Sequence, residues 1–437
     1  MNANRKIVEI ASLGEATLAS PLRRTSKLGD GEAKFVPADR YIRYPQETAA
    51  DMPPDGEMLF EKAGAREKIF FDPQKTKAAI VTCGGLCPGL NDVIRSVFLE
   101  LYMNYGVRNI LGIRHGYLGL NGQAGDPPIP LTMKIVEDIH REGGTILGTS
   151  RGPQDLAVMV DFLEKQGINV LICIGGDGTQ RGAHQIHEEC ARREARIAIV
   201  GVPKTIDNDI QYCVRSFGLV TAVEQAEKVL DCAHTESKGA INGIGLVKVM
   251  GRDAGFIAAF ATLASQDVNF TLIPEAPFEL YGEKGFLNVL RQRMLARRHA
   301  VIVVAEGAGQ HLFAAEKAEY DASGNIKYRD IGLFLKGEIL KYFGQLGPKV
   351  DLKYIDPSYI IRSVPANCDD SILCDLFGRQ AVHAAMAGKS DLIIGQLCDA
   401  FIHVPIPLAT AKKRRVQVEG ELWTSVLAAT GQPRFFG

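Results

Sequence analysis

The 437-residue sequence has no CxxC pair, no GxxxxGKS or GxxxxGKT stretch, no convincing GxGxxG turn behind a strand and no apolar run of bilayer length. Each absence removes a class of function. The nine cysteines, at 83, 87, 173, 190, 213, 232, 368, 374 and 398, show no metal or redox spacing, and several lie inside apolar runs where a thiol acts as a small core residue. A reducing, cytoplasmic setting is the expectation. No segment approaches about 18 uninterrupted apolar residues, and no long apolar core follows the basic residues of "MNANRKIVEIASLG", so no membrane span or leader is expected. Lysine plus arginine (50) and aspartate plus glutamate (51) nearly cancel to a net charge of −1. No nucleic-acid or membrane partner is therefore expected, and any polyanion site must be a local cluster. The missing glycine fingerprints argue against P-loop and Rossmann dinucleotide sites.

What is present is an ordinary foldable composition, 46% hydrophobic and 23% charged, in a chain long enough for two or three domains. From about Lys75 short apolar runs alternate with helical periods: "KAAIVTC", the helical "NDVIRSVFLELYMNYG", "NILGI", and later "NVLICIGG", "IAIVGVP", "GIGLVKVMG", "HAVIVVAEG" and "DLIIG". In "DLAVMVDFLEKQG", Leu156, Met159, Val160 and Leu163 share one helical face, as packing on a sheet requires. This alternation predicts an α/β fold with mainly parallel sheets covered on both faces. Residues 1–75 are rich in proline, glycine and acid without a sustained period, and are expected to form an N-terminal extension wrapping the body. Residues 401–437 read as a C-terminal tail carrying the one tryptophan and a "KKRR" cluster, taken as a solvated helix or subunit contact rather than an anion site.

In open α/β sheets ligands collect where a strand turns into a helix, because the helix start presents unpaired N–H groups and positive dipole. Three turns fit. "VTCGGLCPGLN" brings Gly84 and Gly85, "GGTILGTSRGPQD" sets Arg151 and Gly152 at a helix start, and "CIGGDGTQRGA" ends a buried strand in Gly175, Gly176, Asp177, Gly178 and Thr179. Each glycine turn alone could be steric. Asp177 is sharper, since a carboxylate among phosphate-binding glycines is repulsive unless a cation such as Mg²⁺ sits between it and the phosphate.

"PKTIDND" follows the next strand with Lys204, Thr205 and Ile206 ahead of Asp207 and Asp209. On an extended turn that spacing directs both carboxylates to one side, one as base and the other orienting a metal's water; the plainer reading is a turn rich in Asx residues that caps a helix. "KVMGRDAGF" ends a strand in Met250, Gly251 and Arg252, "VVAEG" ends another in Glu306, and "KYIDPSYIIRSV" supplies Lys353, Tyr359 and Arg362. Guanidinium groups fork onto phosphate and a carboxylate suits sugar hydroxyls, so the set suggests a sugar phosphate.

These stretches, in this order, resemble the 6-phosphofructokinase family: "TCGGLCPGLN", "GIRHGYLGL", "ILGTSRG", "GGDGT", "PKTIDND", "VKVMGRDAG", "VVAEG" and "YIIR" run from about Val81 to Arg362, and "RQAVHAAMAGKSDLIIG" extends the likeness to about Gly395. "GGDGT" alone also resembles NAD kinases and lipid kinases; "TIDND" followed by "MGR" is specific. The resemblance implies two αβα lobes: a donor-binding lobe over 76–218 with a return segment over about 363–400, and a sugar-phosphate lobe over 219–362. It implies that Gly84, Arg151, Gly152, Gly176, Gly178 and Thr179 hold the donor, with Asp177 guiding Mg²⁺. Asp207 would take the proton from the 1-hydroxyl of fructose 6-phosphate, with Lys204, Asp209 and Arg252 in the catalytic set. Thr205, Ile206, Met250, Gly251, Arg252, Glu306, Lys353, Tyr359 and Arg362 would bind the sugar phosphate. A cytoplasmic homo-oligomer, dimer or tetramer, under allosteric control completes the picture.

There are departures. Bacterial nucleotide-dependent members place an arginine upstream of the "MGR" methionine that reaches a neighbour's site, whereas Asn242 or Gly243 stands there here. Tyr359 replaces a histidine and Lys353 an arginine, which resembles the pyrophosphate-dependent branch and its ATP-using relatives. Pyrophosphate-using members carry aspartate at the position of Gly178, where bulk and negative charge would exclude a nucleotide's α-phosphate. Lys204 suits either donor, because a cation near the transferred group stabilises transition-state charge whatever leaves. Because an excluding residue discriminates more sharply than a permissive one, Gly178 favours ATP and Lys204 leaves the choice open. The expectation is ATP-dependent transfer to fructose 6-phosphate in glycolysis, against two alternatives: a reversible pyrophosphate-dependent enzyme and a catalytically silent regulatory subunit.

Overall fold

The computed structural model describes residues 6–45, 57–122, 125–313 and 327–437. The strands that position the site are β1 (Lys77–Thr82), β2 (Asn109–Ile113), β3 (Ile129–Pro130), β4 (Val170–Gly175), β5 (Ala198–Pro203), β6 (Gly243–Val249), β7 (Phe270–Leu272), β8 (Ala300–Ala305), β9 (Asp351–Ile355), β10 (Leu392–Leu397) and β11 (Ala400–Pro405). The helices between them are α1 (Leu90–Leu99), α2 (Leu156–Gln166), α3 (Asp177–Arg192), α4 (Leu219–Gly239), α5 (Phe256–Ser265), α6 (Phe286–Arg297), α7 (Ile331–Leu346), α8 (Ser358–Arg362), α9 (Cys368–Met386) and α10 (Glu421–Thr430). The chain divides into two compact units, one of Met1–Thr205, Ile210–Phe217 and Pro365–Lys412, the other of Ile206–Asp209, Gly218–Val364 and Lys413–Gly437.

The first unit is built on a seven-stranded sheet in the order β11-β10-β5-β4-β1-β2-β3. Its five central strands are parallel, and β3 and β11 close the two edges antiparallel. Every residue of β4 and β5 is buried, which is why both read as unbroken apolar runs rather than as alternating strands. Helix α2 starts on Asp155, whose side chain accepts the Val158 N–H, and stops at Gly167 in the left-handed region with φ 66°. Met159, Val160 and Leu163 are buried as the helical spacing predicts, while Leu156 is half-buried.

Residues expected as a wrapping extension also enter this unit. Lys6–Ile7 runs parallel to Met58–Glu61, which pairs antiparallel with Tyr41–Tyr44, and Phe60 and Ile69 are fully buried. Glu61 is the charge anchor, lying 2.6 Å from Arg66, 3.0 Å from Lys389 and 3.4 Å from His403.

The second unit carries a four-stranded parallel sheet in the order β7-β8-β6-β9. One side packs α4, α5 and α10 over Val247, Val249, Val301 and Val303, with Trp423 from the C-terminal stretch buried there. The other side packs α6 and α7 over Ile244, Leu246, Ile302 and Val304. This is the α/β architecture with mainly parallel sheets that the alternation predicts. No helix among the described residues is long and apolar enough to cross a membrane, and all nine cysteines are free thiols.

Candidate active site

In the first unit two strand ends, after β1 and β4, supply glycine turns, and another such turn, at Thr149 to Gly152, lies in the loop ahead of α2 rather than at the strand end expected. Gly84, after β1, has φ 84°, a conformation that costs other residues, and its N–H lies 3.4 Å from the Ser150 carbonyl. The Thr149 hydroxyl donates to the Gly84 carbonyl at 2.6 Å, and a Cβ at Gly85 would lie 3.6 Å from an Arg151 guanidinium nitrogen. Gly152 follows with φ 100°. The "TCGG" and "TSRG" turns are thus joined, with exposed Arg151 over the first of them.

Lys204, after β5, is almost fully buried and donates its amine to the Gly85 carbonyl at 2.7 Å. Its backbone N–H donates to the Gly175 carbonyl at 3.0 Å, which links it to the third turn. There Gly176 caps α3, with Asp177, Gly178 and Thr179 as its first turn. The three glycines differ in cause. A Cβ at Gly175 would lie 2.2 Å from the Thr179 hydroxyl, and one at Gly176 3.3 Å from the Lys204 carbonyl, whereas one at Gly178 would meet nothing within 4 Å. Gly178 is exposed and helical, so neither packing nor backbone conformation demands glycine there. A residue missed in the sequence, Gln180, locks α3 onto the sheet: its amide donates to the carbonyls of Gly175 at 2.9 Å and Val202 at 3.2 Å.

This first turn of α3 offers backbone N–H groups and dipole to phosphate, with one carboxylate beside them. Among the described residues no group of three or more His, Cys, Asp or Glu is placed to hold a metal ion. That donor set fits Mg²⁺ as phosphate-transfer proteins hold it, by one or two carboxylates, water and the phosphates themselves.

The second unit gathers the acidic turn. Asn208 has φ 56°, so "TIDND" is a left-handed turn rather than the extended one expected, and asparagine tolerates that conformation. Its two carboxylates take different partners. Asp207 accepts the Arg252 backbone N–H at 3.3 Å, while Asp209 lies 2.7 Å from the Lys413 amine. Gly251, with φ 123°, turns the chain sharply at the end of β6, and Gly307 lets the end of β8 pass it, its N–H donating to the Gly251 carbonyl at 3.0 Å. A Cβ at Gly307 would lie 1.8 Å from the Arg252 carbonyl. Arg252 rests over the Tyr328 ring at 4.9 Å, whose hydroxyl donates to Asp253 at 3.0 Å.

Burial pushes the Asp207 carboxyl well above the ordinary carboxylate range; the charges of Asp209 and Glu306 add to it, and the Arg252 N–H and Lys413 oppose it. Burial likewise raises Glu306, against the pull of Arg252 and Lys248. The half-buried Lys248 lies 2.9 Å from Asp330 and 2.8 Å from Asp356, and burial is outweighed there by the two carboxylates, which hold its amine protonated. Asp330 caps α7 through the Leu333 N–H, and Asp356 accepts the Ser358 N–H at the start of α8.

Most residues singled out in the sequence are gathered within their own unit. In the first, Gly84, Arg151, Gly152, Gly176, Asp177, Gly178, Thr179 and Lys204 line the three joined turns, and the Thr205 carbonyl is held by the Ser216 hydroxyl at 2.6 Å. In the second, Asp207, Asp209, Gly251, Arg252 and Glu306 form one cluster, while Ile206 and Met250 pack into the core beside it. Arg362 stacks at 4.7 Å on Tyr359, which is 74% exposed on α8. Lys353 stands apart: it is exposed on the edge strand β9 and pairs with Asp351 at 3.2 Å. Lys248, Asp253, Tyr328, Lys413 and Arg414 were not foreseen. The only signal for the last two was "KKRR", read as a solvated helix or subunit contact; the stretch is not helical, and although Lys413 is exposed it pairs with two carboxylates.

The phosphofructokinase family model matches residues 77–385, more than half of the chain. An ATP-dependent 6-phosphofructokinase of Borreliella burgdorferi is 49% identical over 434 residues, covering 97% of this chain and 96% of that one. An ATP-dependent 6-phosphofructokinase of Amycolatopsis methanolica is 46% identical over 384 residues, covering 86% and 83%. Among solved structures, a pyrophosphate-dependent phosphofructokinase from Marinobacter aquaeolei superposes with a TM-score of 0.66 at 20% identity, covering 83% of this chain and 92% of that one, which speaks to fold alone. With the glycine turns, the "TIDND" turn and the "MGR" strand end in place, the chain belongs to the phosphofructokinase family.

Proposed function

We infer that this chain is an ATP-dependent 6-phosphofructokinase, transferring the γ-phosphoryl group of ATP to the 1-hydroxyl of fructose 6-phosphate to give fructose 1,6-bisphosphate and ADP in glycolysis. The observation that carries the donor is Gly178. Nothing in the fold needs a glycine at an exposed first-turn helical position, where glycine costs about 1 kcal/mol relative to alanine. The space is kept for the donor. The high identity to ATP-dependent relatives supports the same donor.

In this reading Gly84, Arg151, Gly152 and the Gly176 to Thr179 turn hold the donor, and Lys204 offsets charge on the transferred phosphoryl group. Asp177 would hold Mg²⁺ against the donor phosphates, and the ion when bound supplies charge neutralisation during transfer. Asp207 accepts the hydroxyl proton, with Arg252 beside it. Glu306, Tyr359 and Arg362 bind the sugar phosphate; Lys353, already paired on the edge strand, is the weakest member of the set. The first unit is the donor lobe and the second the acceptor lobe. A homo-oligomer in a reducing cytoplasm belongs to the same proposal, supported by the nine free thiols and the family resemblance.

The deciding experiment measures initial rates of fructose 1,6-bisphosphate formation with ATP or with pyrophosphate, for the native chain and for Gly178→Asp. The expected result is turnover with ATP and none with pyrophosphate, and a loss of at least about 100-fold in kcat/KM for ATP in the variant, from the charge placed beside the donor phosphates. Turnover with pyrophosphate alone overturns the reading.

A further inference from the structure

Two cations of the "KKRR" stretch have no part in the roles above, yet they meet the turn that carries the base. The Lys413 amine lies 2.7 Å from Asp209 and 2.8 Å from Asp253. The neighbouring Arg414 donates its backbone N–H to the Asp209 carbonyl at 2.8 Å and its guanidinium to the Asn208 carbonyl at 3.4 Å, and rests over the Phe256 ring at 4.6 Å. The Val416 N–H donates at 2.8 Å to Glu275, which also accepts the Gly255 N–H at 3.0 Å where α5 begins. The segment is therefore fastened to both the "TIDND" turn and the start of α5.

Asp207 is faced by Asp209 on its own turn, Glu306 at the end of β8, Arg252 on the turn between β6 and α5, and Lys413 from the C-terminal stretch, which also holds Asp253. Arg252 and Lys413 meet these carboxylates, Lys248 and Arg362 act on Glu306, and the Arg414 guanidinium holds the Asn208 carbonyl. Arg252 is engaged with the Tyr328 ring and turns its backbone N–H to Asp207, so the cation that bridges Asp209 to Asp253 is Lys413.

We propose that Lys413 is a positioning residue for phosphoryl transfer: by bridging Asp209 and Asp253 it fixes the Ile206–Asp209 turn and offsets the negative charge that would otherwise keep Asp207 from serving as a base. The inference rests on the assignment of Asp207 as the base. Electrostatics agree in sign, since Lys413 is among the charges that favour the ionised form of Asp207.

The test compares the full-length chain with K413M, K413R, D253N and D207N, reading kcat, both KM values and the pH profile of kcat/KM for fructose 6-phosphate. In K413M the acid limb is expected to move up by about one pH unit, a roughly tenfold loss below the limb that is regained at higher pH, with the KM for ATP unchanged. K413R restores the limb. D253N removes a negative charge and moves the limb the other way. A folded K413M whose limb stays in place, or whose loss is equal at every pH and unrelieved by arginine, overturns the inference. Should K413M fail to fold, K413Q, which keeps a hydrogen-bond donor without the charge, decides, and an unmoved limb there counts against the proposal equally. D207N that keeps turnover overturns the base assignment and this inference with it, whereas inactive D207N beside an unmoved K413M overturns the role of Lys413 alone.

Discussion

A carboxylate that must draw a proton from a sugar hydroxyl works best when its proton affinity is matched to the working pH, and Asp207 is raised in that direction by burial, Asp209 and Glu306. Asp207→Asn is expected to lower kcat by roughly 10²–10⁴-fold with little change in sugar affinity, checked by steady-state rates against a direct binding measurement. In the proposed role the ionised form is the active one, so kcat/KM should fall as pH drops through a limb lying above the value of about 3.9 for an ordinary aspartate. Asp209→Asn removes a repelling charge, stabilises ionised Asp207 and should shift that limb to lower pH; an upward shift contradicts the electrostatic account. "TIDND" could be read as chemistry because its residue types and spacing are local. Lys413 could not, since its partner Asp209 lies 204 positions away and four adjacent cations look alike in a sequence until the fold pairs some of them.

The strand and helix alternation was legible because β4, β5 and β8 are buried throughout, which leaves unbroken apolar runs between amphipathic helices. The cause of each glycine was not. Gly175, Gly176 and Gly178 are the same letter, yet the first is needed by Thr179, the second sits against the Lys204 carbonyl and the third touches nothing. Gly178→Ala should therefore leave the melting temperature unchanged or raise it, by an amount equivalent to about 0.4–1 kcal/mol, as thermal unfolding would report. Lys248 works at the same scale, tying β6 to the starts of α7 and α8. Lys248→Met frees two carboxylates and loosens the turn that carries Tyr359 and Arg362. The KM for fructose 6-phosphate is expected to rise about tenfold and that for ATP to stay put, with stability lower by about 1–3 kcal/mol.

No shift in composition marks where the chain passes between the two units, so the short visit of residues 206–209 to the second unit and the passage at Lys412 to Lys413 were invisible in the sequence. The N-terminal stretch was hard to place for a related reason: its strands are two to four residues long, too short for a period to register. Its anchor gives the molecule an acid limit. Burial lowers the affinity of His403 and His383 for protons, and the partners of Glu61 outweigh burial to depress its carboxyl. All three bind protons more readily when unfolded, so their stabilisation is complete above the unfolded values and is lost as pH falls, first below about 6.5 for the histidines and then below about 4.3 for Glu61. Melting temperature should decline from neutral to mildly acid pH, and His403→Gln should flatten the first part of that decline. Gly178 bears on the lineage as much as on the reaction. On the proposed reading, a position that the architecture leaves open can gain or lose a carboxylate without steric conflict, so one codon would redirect the enzyme between cellular energy currencies with no clash for the fold to absorb.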